Sequence, residues 1–92
     1  MFSIEYTNKM KRDVKRMNKR GKDLSKLVTT LDLLASGKQM PVKYYDHPLK
    51  GEMSGYRECH IEWDWILIYQ VFEDRLILSA SGTGTHSDLF DE

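Results

Sequence analysis

The spacing of apolar residues changes halfway along the chain, from a helical to a strand-like period. Met10, Val14 and Met17 recur every three or four residues, as on one face of a helix. A second stripe follows, consisting of Leu24, Leu27, Val28, Leu31, Leu34 and Ala35. Gly21 and Gly37 come after the two stripes, and glycine commonly ends helices because it adopts the left-handed conformation. The pattern predicts an antiparallel hairpin of two short helices.

Residues that can start these helices stand at the expected places. Thr7 or Asn8 precedes the first stripe and Asp23 or Ser25 precedes the second, and all four residue types cap helix N-termini. The short alternating run FSIEY at the start of the chain predicts a first strand.

The second half of the chain predicts three strands. Residues 38–55 contain two prolines and two glycines, so we expect a loop there. The runs YRECHIE and RLILSAS alternate, whereas WILIYQVF is apolar on both faces and belongs at the centre of an antiparallel meander. We expect the tail GTGTHSDLF to end in a helical turn capped by Thr85 or Ser87. The predicted order β-α-α-β-β-β is an α+β fold, a two-helix hairpin packed on a small antiparallel sheet.

Length and composition narrow the class of protein. Ninety-two residues make one domain, residues 1–92. No apolar segment is long enough to span a membrane, and the N-terminal residues lack the apolar core of a signal peptide. Cys59 is the only cysteine, which excludes an internal disulfide and favours a reducing compartment. We therefore expect a cytoplasmic protein without membrane association.

The net charge of zero hides an asymmetry between the two halves of the chain. Residues 1–50 hold twelve Lys/Arg against five Asp/Glu, whereas residues 51–92 hold two against nine. Much of the excess lies in residues 9–22, in the side chains that we call the cationic ridge: Lys9, Lys11, Arg12, Lys15, Arg16, Lys19, Arg20 and Lys22. On a helix these side chains oppose the apolar stripe, and Asp13 is the only acid among them. The ridge predicts an anionic partner, with solvated surface charge as the alternative.

Five ionisable side chains stand near the apolar run or in the tail: His47, Glu58, His60, Asp64 and His86. Alternation places Glu58, His60 and Glu62 on one face of their strand and Cys59 on the other. The five groups can converge at one end of the sheet. Histidines with carboxylates suit general acid–base catalysis or metal binding, although no local metal-binding spacing is present, and each could also be an ordinary surface residue.

Two long runs, YYDHPLKGEMSGYRECHIEWDWILIYQV and GTGTHSDLF, carry a resemblance. The chain resembles the YafQ branch of the RelE/ParE toxin superfamily over nearly its whole length, most specifically in DHPLKG, YRECHIEWDWILIY and GTHSDLF. The resemblance implies an endoribonuclease that cuts mRNA in the ribosomal A site. It also implies cleavage without a metal or other cofactor, and neutralisation by a small cognate antitoxin. The fold that it implies is the one predicted above.

The resemblance also assigns roles to residues. It marks as important His47, Glu58, His60, Asp64, His86 and Phe90. Relatives commonly carry an arginine four residues before the terminal histidine, where this chain has Gly82. The missing positive charge would then come from Arg57, from Lys50 or from a helix cation. For contacts with RNA, including ribosomal RNA, we expect Lys11, Arg12, Lys15, Arg16, Lys19, Lys50, Arg57 and Phe90.

The expected reaction uses the chemistry of RNA itself, because the ribose 2′-hydroxyl can attack the adjacent phosphate. It needs a base for that hydroxyl and an acid for the leaving oxygen. We expect His60, supported by Glu58 and Asp64, on one side of the phosphate and His86 on the other, with base and acid unassigned. His47 would bind phosphate or orient a partner, and Phe90 would stack on a base or pack the tail.

Two other functions compete with this interpretation. The same superfamily includes toxins that inhibit DNA gyrase by binding, but these usually lack the combination of histidines and carboxylates. The chain could also be a plain RNA-binding module with incidental histidines. The aromatic residues Trp63, Trp65 and Tyr69 are compatible with base stacking or with an ordinary core.

Overall fold

The computed structural model describes residues 1–90 as two helices packed on a five-stranded sheet, with a third, short helix at the end. The elements are β1 (Ser3–Tyr6), α1 (Asn8–Lys19), α2 (Leu24–Ala35), β2 (His47–Pro48), β3 (Arg57–Glu62), β4 (Trp65–Phe72), β5 (Ile77–Gly84) and α3 (His86–Phe90). The strand order is β1-β5-β4-β3-β2, so β4 is central as predicted. The predicted fold is confirmed, although the sheet is mixed because β1 runs parallel to β5.

The helix boundaries follow the predicted signals. Thr7 Oγ1 accepts the Met10 N–H at 3.0 Å, and Asp23 Oδ1 accepts the Ser25 N–H at 3.0 Å. The stripe on α2 differs at one position, because Val28 is 55% exposed. Thr30 is buried instead, and its hydroxyl donates to the Lys26 carbonyl oxygen at 2.8 Å.

The core lies between the helices and one face of the sheet. It is built from Met10, Met17, Leu27, Leu31, Leu34, Tyr44, Cys59, Trp65, Leu67, Tyr69, Leu78 and Ala80. Burial raises the pKa of the Cys59 thiol to about 12, so this side chain is a core residue as expected. None of the helices within residues 1–90 combines the length and apolarity needed to cross a bilayer.

Strand pairing corrects two predictions. The expected loop at residues 38–55 contains β2, which pairs His47 with Glu58 of β3. The last strand begins and ends later than predicted, because Gly82 and Gly84 still pair with β4. The first correction places His47 beside Glu58 of β3. The second extends β5 to Gly84, two residues before His86.

A break in the register between His60 and Glu62 corrects a third prediction. Glu62 does not share the face of Glu58, because its carboxylate turns towards the helices. There it accepts hydrogen bonds from Lys22 Nζ at 2.9 Å and from Lys26 Nζ at 2.7 Å. Glu62 therefore ties β3 to the helical hairpin.

Candidate active site

Glu58 is the centre of a cluster of imidazoles on the face of β3 opposite to Cys59. Its side chain is only 6% exposed, and its two oxygens lie 3.0 Å from His47 Nε2 and 3.2 Å from His86 Nε2. His60 Nε2 is 3.9 Å from the same carboxylate. A buried carboxylate needs such partners, because an isolated buried charge is very costly. We call Glu58 and the three histidines, which come from β2, β3 and α3, the imidazole cluster.

Asp64 completes the site from the turn between β3 and β4. Its Oδ1 accepts the backbone N–H of His86 at 3.2 Å and lies 3.2 Å from Nδ1 of the same residue. These hydrogen bonds hold the pKa of the Asp64 carboxyl below its ordinary value. Asp64 therefore orients His86, and not His60 as the sequence suggested. The structure brings together all five predicted groups; their catalytic role stays a prediction.

The three rings differ in the acceptors that their nitrogens face. His86 faces a carboxylate with each ring nitrogen, and only a doubly protonated ring donates to both. His47 likewise faces Glu58 and, at 2.7 Å, the Tyr45 carbonyl oxygen. His60 differs, because Nδ1 lies 3.3 Å from the Trp63 carbonyl oxygen while Nε2 has no acceptor within hydrogen-bond distance among residues 1–90. The geometry thus leaves Nε2 of His60 open to a substrate, whereas both ring nitrogens of His86 face carboxylates.

Contacts between α3 and α1 hold His86 in place. Thr85 and Asp88 cap α3 reciprocally, since each backbone N–H donates to the other side chain, at 2.9 and 3.0 Å. Arg20 of α1 donates to Asp88 through both terminal nitrogens, and this pair holds the pKa of the Asp88 carboxyl well below its usual range. The Phe90 ring stacks on His86 with centroids 6.1 Å apart.

Replacing Asp88 by alanine is expected to destabilise the protein by about 1 kcal/mol, the usual cost of losing a helix cap. Because the pKa of Asp88 is lowered in the folded state, its contribution is present above about pH 4 and is lost as the pH falls through the folded value. Urea unfolding at pH 7 and pH 3 measures the first part of this loss, because pH 3 lies below the ordinary pKa of an aspartate but above the folded value. Cleavage should also fall several-fold, since His86 loses its support.

Asn at position 88 is the matched control, because it keeps a capping oxygen and removes only the charge. We expect the Asp88→Asn variant to lie between wild type and Asp88→Ala in both stability and cleavage. Equal urea curves for all three proteins at pH 7 would contradict the proposed docking of α3.

Arg57 and Lys50 are not brought to the site. The Arg57 guanidinium turns away from Glu58 and donates to Asp46 at 3.1 Å and to the Tyr69 hydroxyl at 3.3 Å. Lys50 is exposed in the loop after β2 and forms no ion pair with the described residues. Arg57 is thus already paired with a carboxylate, and its role as the missing phosphate-binding cation stays a prediction.

The cationic ridge is partly paired with carboxylates of the protein. Asp13 is 4% exposed and accepts from Lys9 Nζ at 2.7 Å and from Arg16 Nη2 at 3.0 Å. Arg20 and Lys22 pair with the carboxylates described above. Four ridge cations stay exposed without an ion pair in residues 1–90, namely Lys11, Arg12, Lys15 and Lys19.

Gly82 lies beside Lys9, one of the helix cations of the ridge. A Cβ atom at this position would be 3.2 Å from Lys9 Nζ and 3.2 Å from Asp13 Oδ2. The Lys9–Asp13 pair thus fills the space that the side chain of an arginine at position 82, expected from the resemblance, would enter. Asp13, the only acid among residues 9–22, could have indicated this ion pair in the sequence, because a lone acid amid cations is a natural ion-pair partner.

The cluster could also hold a metal ion. Glu58, His60 and His86 each offer one ligand atom, and these atoms lie within 4.8 Å of one another. Carboxylate and imidazole ligands suit zinc and copper. A metal ion and a proton would compete for the free lone pair of His60.

Comparison with known proteins decides the family. The family described as "Bacterial toxin of type II toxin-antitoxin system, YafQ" matches residues 2–91. The chain belongs to the YafQ family. The mRNA interferase toxin YafQ of Escherichia coli strain K12 is 44% identical over 88 residues, covering 95% of this chain and 94% of that protein. The resemblance seen in the sequence is confirmed.

Two similar proteins with solved structures share the fold. The E. coli DinJ-YafQ complex matches with a TM-score of 0.88 and 42% identity, over 98% of this chain and 99% of that one. A metal-bound toxin from Helicobacter pylori matches with a TM-score of 0.92 and 39% identity, over 98% and 100%. Both structures therefore have the same architecture as this protein.

Proposed function

We propose that this YafQ-family toxin is an mRNA interferase, which cleaves mRNA in the ribosomal A site and is neutralised by a cognate antitoxin. The observation that carries the proposal is the imidazole cluster, in which one carboxylate gathers three histidines from three elements. The E. coli relative is named an mRNA interferase toxin, and a relative was solved in complex with DinJ. Both names support the proposed activity and the proposed kind of partner.

The proposed mechanism needs only the substrate and the site. His60 Nε2 takes the proton of the ribose 2′-hydroxyl, whose oxygen attacks the adjacent phosphorus. The bond to the 5′-oxygen breaks, and His86 donates the proton that the leaving oxygen needs. The two rings are 5.6 Å apart between centroids, so both can reach one phosphate. The products are a 2′,3′-cyclic phosphate and a free 5′-hydroxyl.

Charge on the phosphate is stabilised by two further groups in this proposal. The first is His47, whose ring would add positive charge beside Glu58 when both of its nitrogens donate to the acceptors that they face. Lys9 Nζ lies next to Gly82 on β5. Fixed positive groups of this kind stabilise charge that develops in a transition state.

Incubation with translating ribosomes tests the proposal. We expect new mRNA ends inside the A-site codon that carry 2′,3′-cyclic phosphates, and protection when the cognate antitoxin is added. Inhibition of DNA gyrase without RNA cleavage would instead favour the gyrase-binding toxins. RNA binding without either activity would favour a plain RNA-binding module.

The unpaired part of the ridge is proposed to contact ribosomal RNA. Replacing Lys11 and Lys15 together by glutamate should weaken ribosome binding and reduce the slope of log affinity against log salt by about 1.5–2, as expected for two lost phosphate contacts. Salt-dependent co-sedimentation with ribosomes measures the slope. Folding should be unaffected, because both side chains are exposed.

A matched double variant controls for net charge alone. Lys38→Glu with Arg75→Glu makes the same charge change at exposed positions outside the ridge. An equal loss of slope in both double variants would show a non-specific charge effect. An unchanged slope in the Lys11/Lys15 variant would leave the ridge as solvated surface or as an antitoxin-binding face.

A further inference from the structure

A groove leads away from the imidazole cluster between α2 and the end of β3. Its volume is about 640 Å³, within the usual range of ligand pockets of about 300–1,000 Å³. His60 lines the groove and also belongs to the cluster, so the two are continuous. An RNA strand whose phosphate lies between His60 and His86 would therefore extend into this groove.

Two exposed aromatic side chains line the groove. Trp63 is 92% exposed and Tyr45 is 65% exposed, although rings of this size usually bury much of their surface. The Tyr45 ring stands 4.4 Å from His47 and 5.6 Å from His60 between centroids. Tyr45 thus links the rings of the imidazole cluster to the groove that Trp63 also lines.

The backbone of Tyr45 is held in an unusual conformation. Its φ of 44° lies in the left-handed region, which is uncommon for a bulky residue. The conformation is fixed from both sides, because the Tyr45 N–H donates to the Val42 carbonyl oxygen at 2.9 Å and the Tyr45 carbonyl accepts from His47. Such strain tends to persist where a side chain serves a function, and here it presents the ring beside the cluster.

The charge of the groove favours an anion. Lys26 and Lys43 line it, and Glu62 is the only carboxylate among the lining residues. Glu62 is already neutralised, since Lys22 Nζ and Lys26 Nζ donate to its two oxygens. Exposed aromatic rings combined with cations are the usual surface for single-stranded nucleic acid.

We propose that this groove is a subsite for a nucleotide of single-stranded RNA beside the cut, with a base stacked on Trp63 or Tyr45 and a phosphate bound by Lys43. The proposal rests on the proposed nuclease function and adds the path of the strand. RNA is favoured over a protein segment because the groove is cationic and opens directly into the cluster.

Tryptophan fluorescence tests this subsite without requiring cleavage. The probe is a mixed-sequence hexamer of 2′-O-methyl RNA, which lacks the nucleophilic hydroxyl and stays intact. We expect it to quench the exposed Trp63, whereas the buried Trp65 supplies the constant remainder. The quenching should disappear in the Trp63→Phe variant.

Affinity measured by fluorescence anisotropy gives the size of the effect. Trp63→Ala should raise the Kd for the hexamer between about 5-fold and 100-fold, the range that one stacked base contributes. Lys43→Ala should reduce the salt slope by about 0.7, as for one lost phosphate contact on a single strand. Val28→Ala is the control, because Val28 is exposed on α2 but does not line the groove.

The outcomes distinguish a failure of the subsite proposal from a failure of the proposed nuclease function. Quenching by the hexamer supports the subsite even if the wild-type protein cleaves no mRNA. No quenching, or a Kd unchanged by Trp63→Ala, overturns the subsite even if cleavage is normal. Quenching by the cognate antitoxin but not by the hexamer also overturns it, since the groove would then bind protein.

Discussion

Replacing His86 by alanine is expected to lower mRNA cleavage by about 10²–10⁴-fold, the usual contribution of a positioned acid or base. His86 faces a carboxylate with each ring nitrogen, and it is the proposed donor of the proton to the leaving oxygen. His60→Ala should cause a similar loss, because His60 Nε2 has no hydrogen-bond acceptor within the described part of the chain and can take the proton of the 2′-hydroxyl. Single-turnover cleavage of ribosome-bound mRNA measures both variants.

A sulfur atom in place of the 5′-bridging oxygen at the cut distinguishes the two roles. A thiolate leaves without being protonated, so this substrate should restore cleavage by His86→Ala but not by His60→Ala. His47→Ala is the comparison variant and should lose less, because both nitrogens of His47 are already bonded. Restoration of His60→Ala alone would exchange the roles, and wild-type rates for both alanine variants would show that the site is elsewhere.

Replacing the 2′-hydroxyl at the cut by hydrogen is expected to abolish cleavage, since the nucleophile is then missing. Excess chelator should leave cleavage of a ribosome-free minimal RNA unchanged, because the imidazole cluster supplies both the base and the acid. Gel analysis of end-labelled RNA measures both effects.

Deoxy substitution one nucleotide beyond the cut is the matched control and should have little effect. Cleavage of the deoxy substrate would point to an attacking water molecule. Together with loss of activity in chelator, that result would favour a metal ion bound by Glu58, His60 and His86.

Local sequence determined the helices and the central strand of this protein. The caps at Thr7 and Asp23, and the strand order with WILIYQVF at its centre, follow from cap chemistry and apolar spacing. These features depend on neighbouring residues, so the linear chain contains them. The same holds for the face shared by Glu58 and His60, two residues apart on one strand.

The break in the β3 register is a feature that the alternation of side chains along a strand does not predict. Alternation alone puts Glu62 on the same face of β3 as Glu58. The register shift after His60 instead turns the Glu62 carboxylate towards Lys22 and Lys26. Arg57 is a similar case, since Asp46 and Tyr69 bind it from distant parts of the chain. A bulge and an ion pair depend on where partner segments arrive, and spacing does not contain that information.

The pairing of acid–base groups was decided by tertiary structure alone. Asp64 meets His86, 22 residues further along, and not the nearby His60. That choice follows from the docking of α3 by the contact between Arg20 and Asp88, which are 68 residues apart. The sequence by itself determined which ionisable residue types are available to the candidate site. Long-range packing decided that Asp64 holds His86, because only folding brings α1, the β3–β4 turn and the tail together.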